Sequence, residues 1–463
     1  MTVSATRTRK TDIQKMALLT AFACVLQISE SMIPHPVPGL RLGLANMITL
    51  VALVRLGFRC AMEIAVLRTL LSAIIIGTFM SPTFLLSISG AVASTLGMGG
   101  LMWVARRRSR TAPSIIGISI IGALIHNMVQ LYLAYFLLVR HGGVFVFFPW
   151  LCAGALIMGW INGVVAGAVC RRLTNEPCSR VGMDGDVRES EPLRIDQFQA
   201  GNALLYKLPA EIKIGAVFVL ATTVLIIGDI RLMACLFGFL GLIAAISRIS
   251  AAYLLSKVLR FTSLLLVAFL LPVLFNDGTD IFFRISGLAI TGEGIYAGAA
   301  ASLRIMFLIM VSALVMRTTS PTELTAALGN LMRPVKFFGI SDKRMAEILA
   351  MSWTFIPSIW DIARDRIRKG KFTNVKNIRN LLPMLVELIA TLYNQTETEG
   401  GPRNTVAGDC SGELAGRSHK PEAGDESKAD SDHCSVRDDI ENAVYRLIHV
   451  ETTMPASNQA REE

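Results

Sequence analysis

The sequence predicts an all-α polytopic membrane protein, and three observations carry that expectation. Of its 463 residues, 52% are hydrophobic and only 17% charged, against about 25% charged in an average soluble domain. The apolar residues gather in runs of roughly 20, too long for buried strands and right for membrane-crossing helices. Basic clusters sit at alternate ends of successive runs. Arg7, Arg9 and Lys10 precede the first run, and Arg55 and Arg59 follow the second. Arg106, Arg107, Arg108 and Arg110 follow the fourth, and Arg171 and Arg172 follow the sixth. Short loops rich in Lys and Arg stay in the cytoplasm, so the alternation places the N-terminus inside. Much of the formal net charge of +10 lies in such loops, which points to membrane topology and away from nucleic-acid binding.

Six runs fill the first half, at 16–33, 42–56, 61–80, 84–104, 114–139 and 144–169. The first opens like a secretion signal, basic and then apolar. It carries Gln27 and Glu30, lacks a small-residue cleavage site and feeds straight into the second run, so it is read as a retained helix. The second is short for a full span and is read as tilted or re-entrant. Residues 173–203 break the pattern: Glu176, Asp184, Asp186, Glu189, Glu191 and Asp196 alternate with Gly, Ser, Pro and Arg, as in a cytoplasmic linker. Four more runs follow, at 214–228, 232–246, 261–275 and 295–316. Lys207, Lys213, Arg248, Lys257, Arg260 and Arg317 then fall inside, and Asp229, Asp277 and Asp280 outside. Residues 318–392 are amphipathic, dense in Lys and Arg, and punctuated by Pro321, Pro334, Pro357 and Pro383. They read as cytoplasmic or interfacial helices. From about 396 the chain turns to Gly, Ser, Glu, Asp and Lys, the composition of a disordered cytoplasmic tail, with a short helix near 438–448. The expected units are therefore 1–172, a linker at 173–203, a second membrane unit at 204–395 and the tail at 396–463.

The sequence holds no catalytic motif. It has no GxxxxGK[ST] phosphate loop, no HExxH, no GxSxG and no DDxxD. The eight cysteines are scattered without a CxxC pair, so neither a disulfide framework nor a metal site is expected. Its chemistry lies in polar groups inside apolar runs, where they are costly. Gln27 and Glu30 share a helix face in the first run, and Arg68 lies in the third. His126, Asn127 and Gln130, at positions i, i+1 and i+4 of the fifth, form one stripe. Taken singly, each reads as a hydrogen bond between helices. Taken as a set, they point to a shared polar cavity for a small polar or zwitterionic molecule. Pro34, Pro36, Pro38, Gly39 and Arg41 read either as a rigid external lid or as a Pro-rich turn. Gly159, Gly163 and Gly167 recur every fourth residue, a close-packing face turned either into its own bundle or toward the second unit. The run I-A-R-D-R-I-R-K-G-K at 362–371, with Arg364, Arg366, Arg368 and a helix stop at Gly370, reads two ways. It is a basic helix on anionic lipid or a helix that docks into a cytoplasmic partner.

Two resemblances follow from longer stretches. The segment E-S-M-I-P-H-P-V-P-G-L-R-L-G-L-A-N at 30–46, the Arg68 helix and G-A-L-I-H-N-M-V-Q at 122–130 resemble the Gx transporter family, also labelled heptaprenyl diphosphate synthase component I. That family resembles the substrate-binding S components of energy-coupling factor importers, which are six-helix bundles. S-L-R-I at 302–305, T-T-S-P-T-E-L-T-A-A-L at 318–328, M-R-P at 332–334 and F-I-P at 355–357 resemble the CbiQ-like T components of the same importers. The resemblance implies coupling helices that end in an Ala-Arg-Gly-like motif and dock on ATPase subunits. The first such motif falls at Arg366–Gly370 in shortened form, and the second falls near 393–400, which holds no Arg.

Together these readings imply a fused S and T module in the cell membrane. A small-molecule substrate would bind near Glu30, Arg41, Asn46, Arg68, His126, Asn127 and Gln130. Separate ABC-type ATPase subunits would couple through Arg364, Arg366, Arg368 and Gly370, with Pro321, Pro334 and Pro357 shaping that segment. The family label implies an alternative, a membrane accessory to heptaprenyl or polyprenyl diphosphate synthesis.

Overall fold

The computed structural model describes residues 2–32, 43–108, 113–175, 204–276, 279, 281–285, 288–331, 342–369, 386–387, 389–390 and 393. The lid-or-turn segment with Arg41, most of the linker, Pro334, Pro383, Gly370, residues 394–400 and the tail lie outside them. Nearly all described residues belong to one compact unit, 1–372 with 389–400; the other, 373–388 with 401–463, contributes only Val386 and Glu387.

The first half is a six-helix bundle: α1 (Thr2–Met32), α2 (Leu44–Arg55), α3 (Phe58–Ile76), α4 (Pro82–Arg108), α5 (Ile115–Leu133) and α6 (Phe148–Asn175). Local chemistry sets the ends. Gly43 precedes α2 at φ 69° and Gly77 closes α3 at φ 80°, left-handed positions that a side chain would strain. Pro82 opens α4, where a missing N–H costs nothing, and Arg106–Arg108 fill its last turn against the helix dipole. α5 runs on through a π-helical turn (Ala134–Val139) that stops at Arg140, φ 53°. Gly159 and Gly163 of α6 seat α5 closely, since a Cβ on either would lie 2.7 Å from the Cα of Ile120 or Ile116. Gly167, the third of that series, has nothing within 4 Å of an added Cβ.

The second half comprises α7 (Leu204–Lys207), α8 (Ala210–Ile226), α9 (Ile230–Ile246), α10 (Ala251–Leu259), α11 (Thr262–Phe275), α12 (Gly292–Thr318), α13 (Pro321–Leu331) and α14 (Asp342–Lys369). The centre is α12, whose Phe307 is fully buried and meets Phe237 edge-on at 5.3 Å. Its N-cap Thr291 accepts from Gly294 N–H at 3.1 Å. α13 starts with a reciprocal cap: Glu323 N–H donates to Ser320 Oγ (3.2 Å) and Ser320 N–H to Glu323 Oε2 (3.4 Å). Pro321 sits at its first position, and Pro357 lies inside α14. Two buried cations find backbone carbonyls: Lys213 Nζ donates to Thr318 O (2.9 Å) and Arg304 Nε to Ile227 O (3.3 Å). The fold is all-α as expected, with one short antiparallel hairpin among the described residues, β1 (Ile281–Ile285) and β2 (Leu288–Thr291), leading into α12.

Ten spans are expected from the runs. Among the described residues four helical segments are long and apolar enough to cross a membrane: α4, α5 with its π-helical turn, the stretch ending in α6, and α12. A fifth appears if α10 and α11, bent by 65°, count as one. Charge and length set three of the others apart. α3 carries Arg59, Glu63 and Arg68; α2 has 12 residues, about 18 Å of helix, and α9 has 17.

Candidate ligand cavity and coupling helix

A cavity of ≈ 40 Å³, room for only a few waters, lies among α2, α4, α5 and α6. His126, Asn127 and Gln130 of α5 line it together with Gly43 and Asn46 at the start of α2. Sequence reasoning missed three further polar lining residues, Ser94 of α4, Ser119 of α5 and Asn162 of α6. Ser119 lies two turns before His126 on the same face of α5, a helical spacing that could have found it, and Asn162 is a lone amide within an apolar run; Ser94 sits among other hydroxyl residues of α4 and carries no such mark. The His126 ring presses on Gly90 of α4, where an added Cβ would come within 2.8 Å of it. The stripe also ties helices together. Asn127 Nδ2 donates to Leu151 O (3.0 Å) and Gln130 Nε2 to Leu86 O (3.3 Å).

Glu30 and Arg68 stand behind the wall and do not line the cavity. Both are 4% exposed. Arg68 donates from Nη2 to Asn46 Oδ1 (2.5 Å), from Nη1 to Gln27 Oε1 (3.0 Å) and from Nε to Thr49 Oγ1 (3.1 Å). Glu30 Oε1 accepts from Gly43 N–H (2.7 Å), and Gly43 O accepts from Asn162 Nδ2 (3.2 Å). The two charges thus brace the first turn of α2. Charge-assisted bonds of this kind are among the strongest available to a buried backbone.

The segment that carries the basic run is the end of α14. Arg364 is exposed, Arg366 and Arg368 lie in the helix, and Gly370 falls outside the described residues. The other end of α14 reaches the first half. Arg344 Nε lies 3.6 Å from Glu63 Oε2 of α3, and Ser352 Oγ donates to Ala17 O of α1 (3.0 Å). Further contacts join the halves away from α14: Ser312 Oγ of α12 donates to Phe79 O (2.5 Å), and Arg140 Nη2 donates to Leu225 O.

Fold and cavity define a multi-pass helical membrane protein with a cavity-bearing bundle and a second helical half. Two family models match, one in each half. Residues 19–169 match the family described as heptaprenyl diphosphate synthase component I, and residues 201–399 match that described as cobalt transport protein. The second half is similar to proteins named energy-coupling factor transporter transmembrane protein EcfT. That of Acidaminococcus fermentans is 27% identical over 214 residues, 44% of this chain and 79% of the relative. Those of Brevibacillus brevis and Bacillus subtilis are 26% and 24% identical, each over 44% of this chain and 80% of the relative. The chain is a multi-pass cell-membrane protein whose two halves match these two family models, one each.

Proposed function

We propose that this protein is the membrane component of an energy-coupling factor type importer, with capture and coupling halves in one chain. The first half takes a small-molecule substrate from outside into the cavity at Asn46, His126, Asn127, Gln130 and Asn162. The second half receives ABC-type ATPase subunits on the cytoplasmic side at Arg364, Arg366, Arg368 and Gly370. Both termini lie in the cytoplasm. One observation carries the reading: the helix that ends in the basic run is the helix that holds Glu63 and Ala17 of the first half. Movement imposed at its end therefore has a direct route to the capture bundle. The lipid surface remains a neighbour of the basic run and not its main partner.

The family description of residues 19–169 favours a second reading, an accessory to heptaprenyl diphosphate synthesis. Purification of the full chain from native membranes separates the two. Co-purifying ABC-type ATPases support transport. A co-purifying prenyl diphosphate synthase, with no ATPase, overturns it.

A further inference from the structure

The cavity has a polarity that its hydrogen bonds fix. Asn46 Oδ1 is held by Arg68, so the amide of Asn46 meets the cavity through its N–H₂ end. On α5 the arrangement is reversed. The bonds from Asn127 and Gln130 to Leu151 O and Leu86 O use amide nitrogens, and neither amide oxygen takes part in them. Asn46 thus offers a donor from α2, and the amide oxygens of Asn127 and Gln130 offer acceptors from α5, beside His126 and Ser119, which can act as either. Among the described residues no carboxylate, ammonium or guanidinium lines the space, because Glu30 and Arg68 brace α2 from behind it. A charge brought here from water would lose its hydration with no opposite charge to meet it, a costly transfer. The remaining walls are small, with Gly122, Ala123, Gly154 and Ala155, and adjustable at Met98 and Met158.

We infer that the cavity takes an uncharged molecule that offers a carbonyl-type acceptor to Asn46 on α2 and an N–H donor to Asn127 and Gln130 on α5, the chemistry of a lactam or an amide-bearing heterocycle. This rests on the reading of the cavity as the capture site, and it replaces the zwitterion expected when Glu30 and Arg68 are counted as ligand contacts. The bound form needs more room than ≈ 40 Å³, since small-molecule pockets run to about 300 Å³ or more. Entry of the molecule thus spreads the four helices.

The test uses the full chain in lipid nanodiscs, incubated with a low-molecular-weight extract of the source cells. Retained compounds are released by heat and identified by mass spectrometry, for the native protein, His126→Leu, Gln130→Glu and Ser119→Ala. Compounds retained by the native protein and lost from His126→Leu depend on the cavity. Those compounds are expected to be neutral at pH 7, to carry adjacent carbonyl and N–H groups, and to fall about ten-fold or more with Gln130→Glu, which places an unpaired carboxylate in the wall. Cavity-dependent compounds that carry net charge overturn the ligand class and leave the capture reading standing. Tighter retention by Gln130→Glu does the same, because it marks a cation. Retention that none of the three variants alters, or no retention at all, overturns the capture reading itself and this inference with it. Ser119→Ala is the mildest change, so it keeps the assay decisive where Gln130→Glu fails to fold, as judged by membrane abundance.

Discussion

Gly43 joins two helices through its own peptide groups. Its N–H is held by Glu30 and its carbonyl by Asn162, and its φ of 69° suits a residue without a side chain. Gly43→Ala should cost about 1–2 kcal/mol of stability, and Gly43→Asn less, because Asn tolerates the left-handed region. Thermal unfolding in detergent should rank the native protein first, Asn next and Ala last. An Ala variant at least as stable as the native protein contradicts the bracing role given to this turn. His126→Leu should remove ligand retention while leaving membrane abundance unchanged; loss of protein instead would mark His126 as a packing residue. The stripe of His126, Asn127 and Gln130 was legible because helical spacing brings i, i+1 and i+4 to one face. What Glu30 and Arg68 do was not legible. Sequence marks a buried charge as significant, but only coordinates tell a ligand contact from a brace.

At the scale of elements, the seam between α5 and α6 has no room for growth. Gly163→Leu should destabilise by about 1–3 kcal/mol through overpacking against Ile116, while Gly167→Ala, with open space around it, should be silent. The unfolding midpoints of the two variants make that comparison directly. Across the halves, Glu63 and Arg344 invite a double-mutant cycle. Glu63→Gln and Arg344→Gln should each lower stability, and the pair together should recover part of the loss, with a coupling of about 0.5–3 kcal/mol. Strict additivity would mean that the 3.6 Å approach transmits nothing. Charge reversal at Arg366 and Arg368 should release the ATPase subunits while ligand retention persists. Recovery of the ATPases with the double variant at native yield would return the segment to the lipid surface. Helix order was readable from apolar runs, and the cap of α13 was present in S-P-T-E at 320–323. The hairpin was not read, although Ser286–Gly287 between apolar runs is a turn signal. A search for 20-residue spans passes over strands of four and five residues.

For the whole molecule, orientation is the testable property. Single cysteines placed at Arg106 and Arg364, in a chain without native cysteines, should resist membrane-impermeant reagent in intact cells and react after lysis. Reaction of either in intact cells overturns the inside placement of basic loops. The sequence shows a loss of apolar period at 173–203, between the two halves. Their mutual packing was not visible, because Ser312–Phe79 and Ser352–Ala17 each link ordinary small or apolar positions more than two hundred residues apart.

The tie between Ser312 and Phe79 has a meaning for supply and partner choice. Where capture and coupling proteins are separate, a coupling protein meets each capture protein at a rate set by how much of each the cell makes. On one chain the local concentration of one half around the other is set by the tether and not by expression. The stoichiometry is one to one in every molecule. Shared apolar packing and a few modest hydrogen bonds then keep the halves together, and on the reading proposed above a free capture protein competes poorly for the same surface. Severing the chain between α6 and α7 and co-expressing the pieces should make recovery of one with the other depend on their amounts, a dependence the intact chain cannot have.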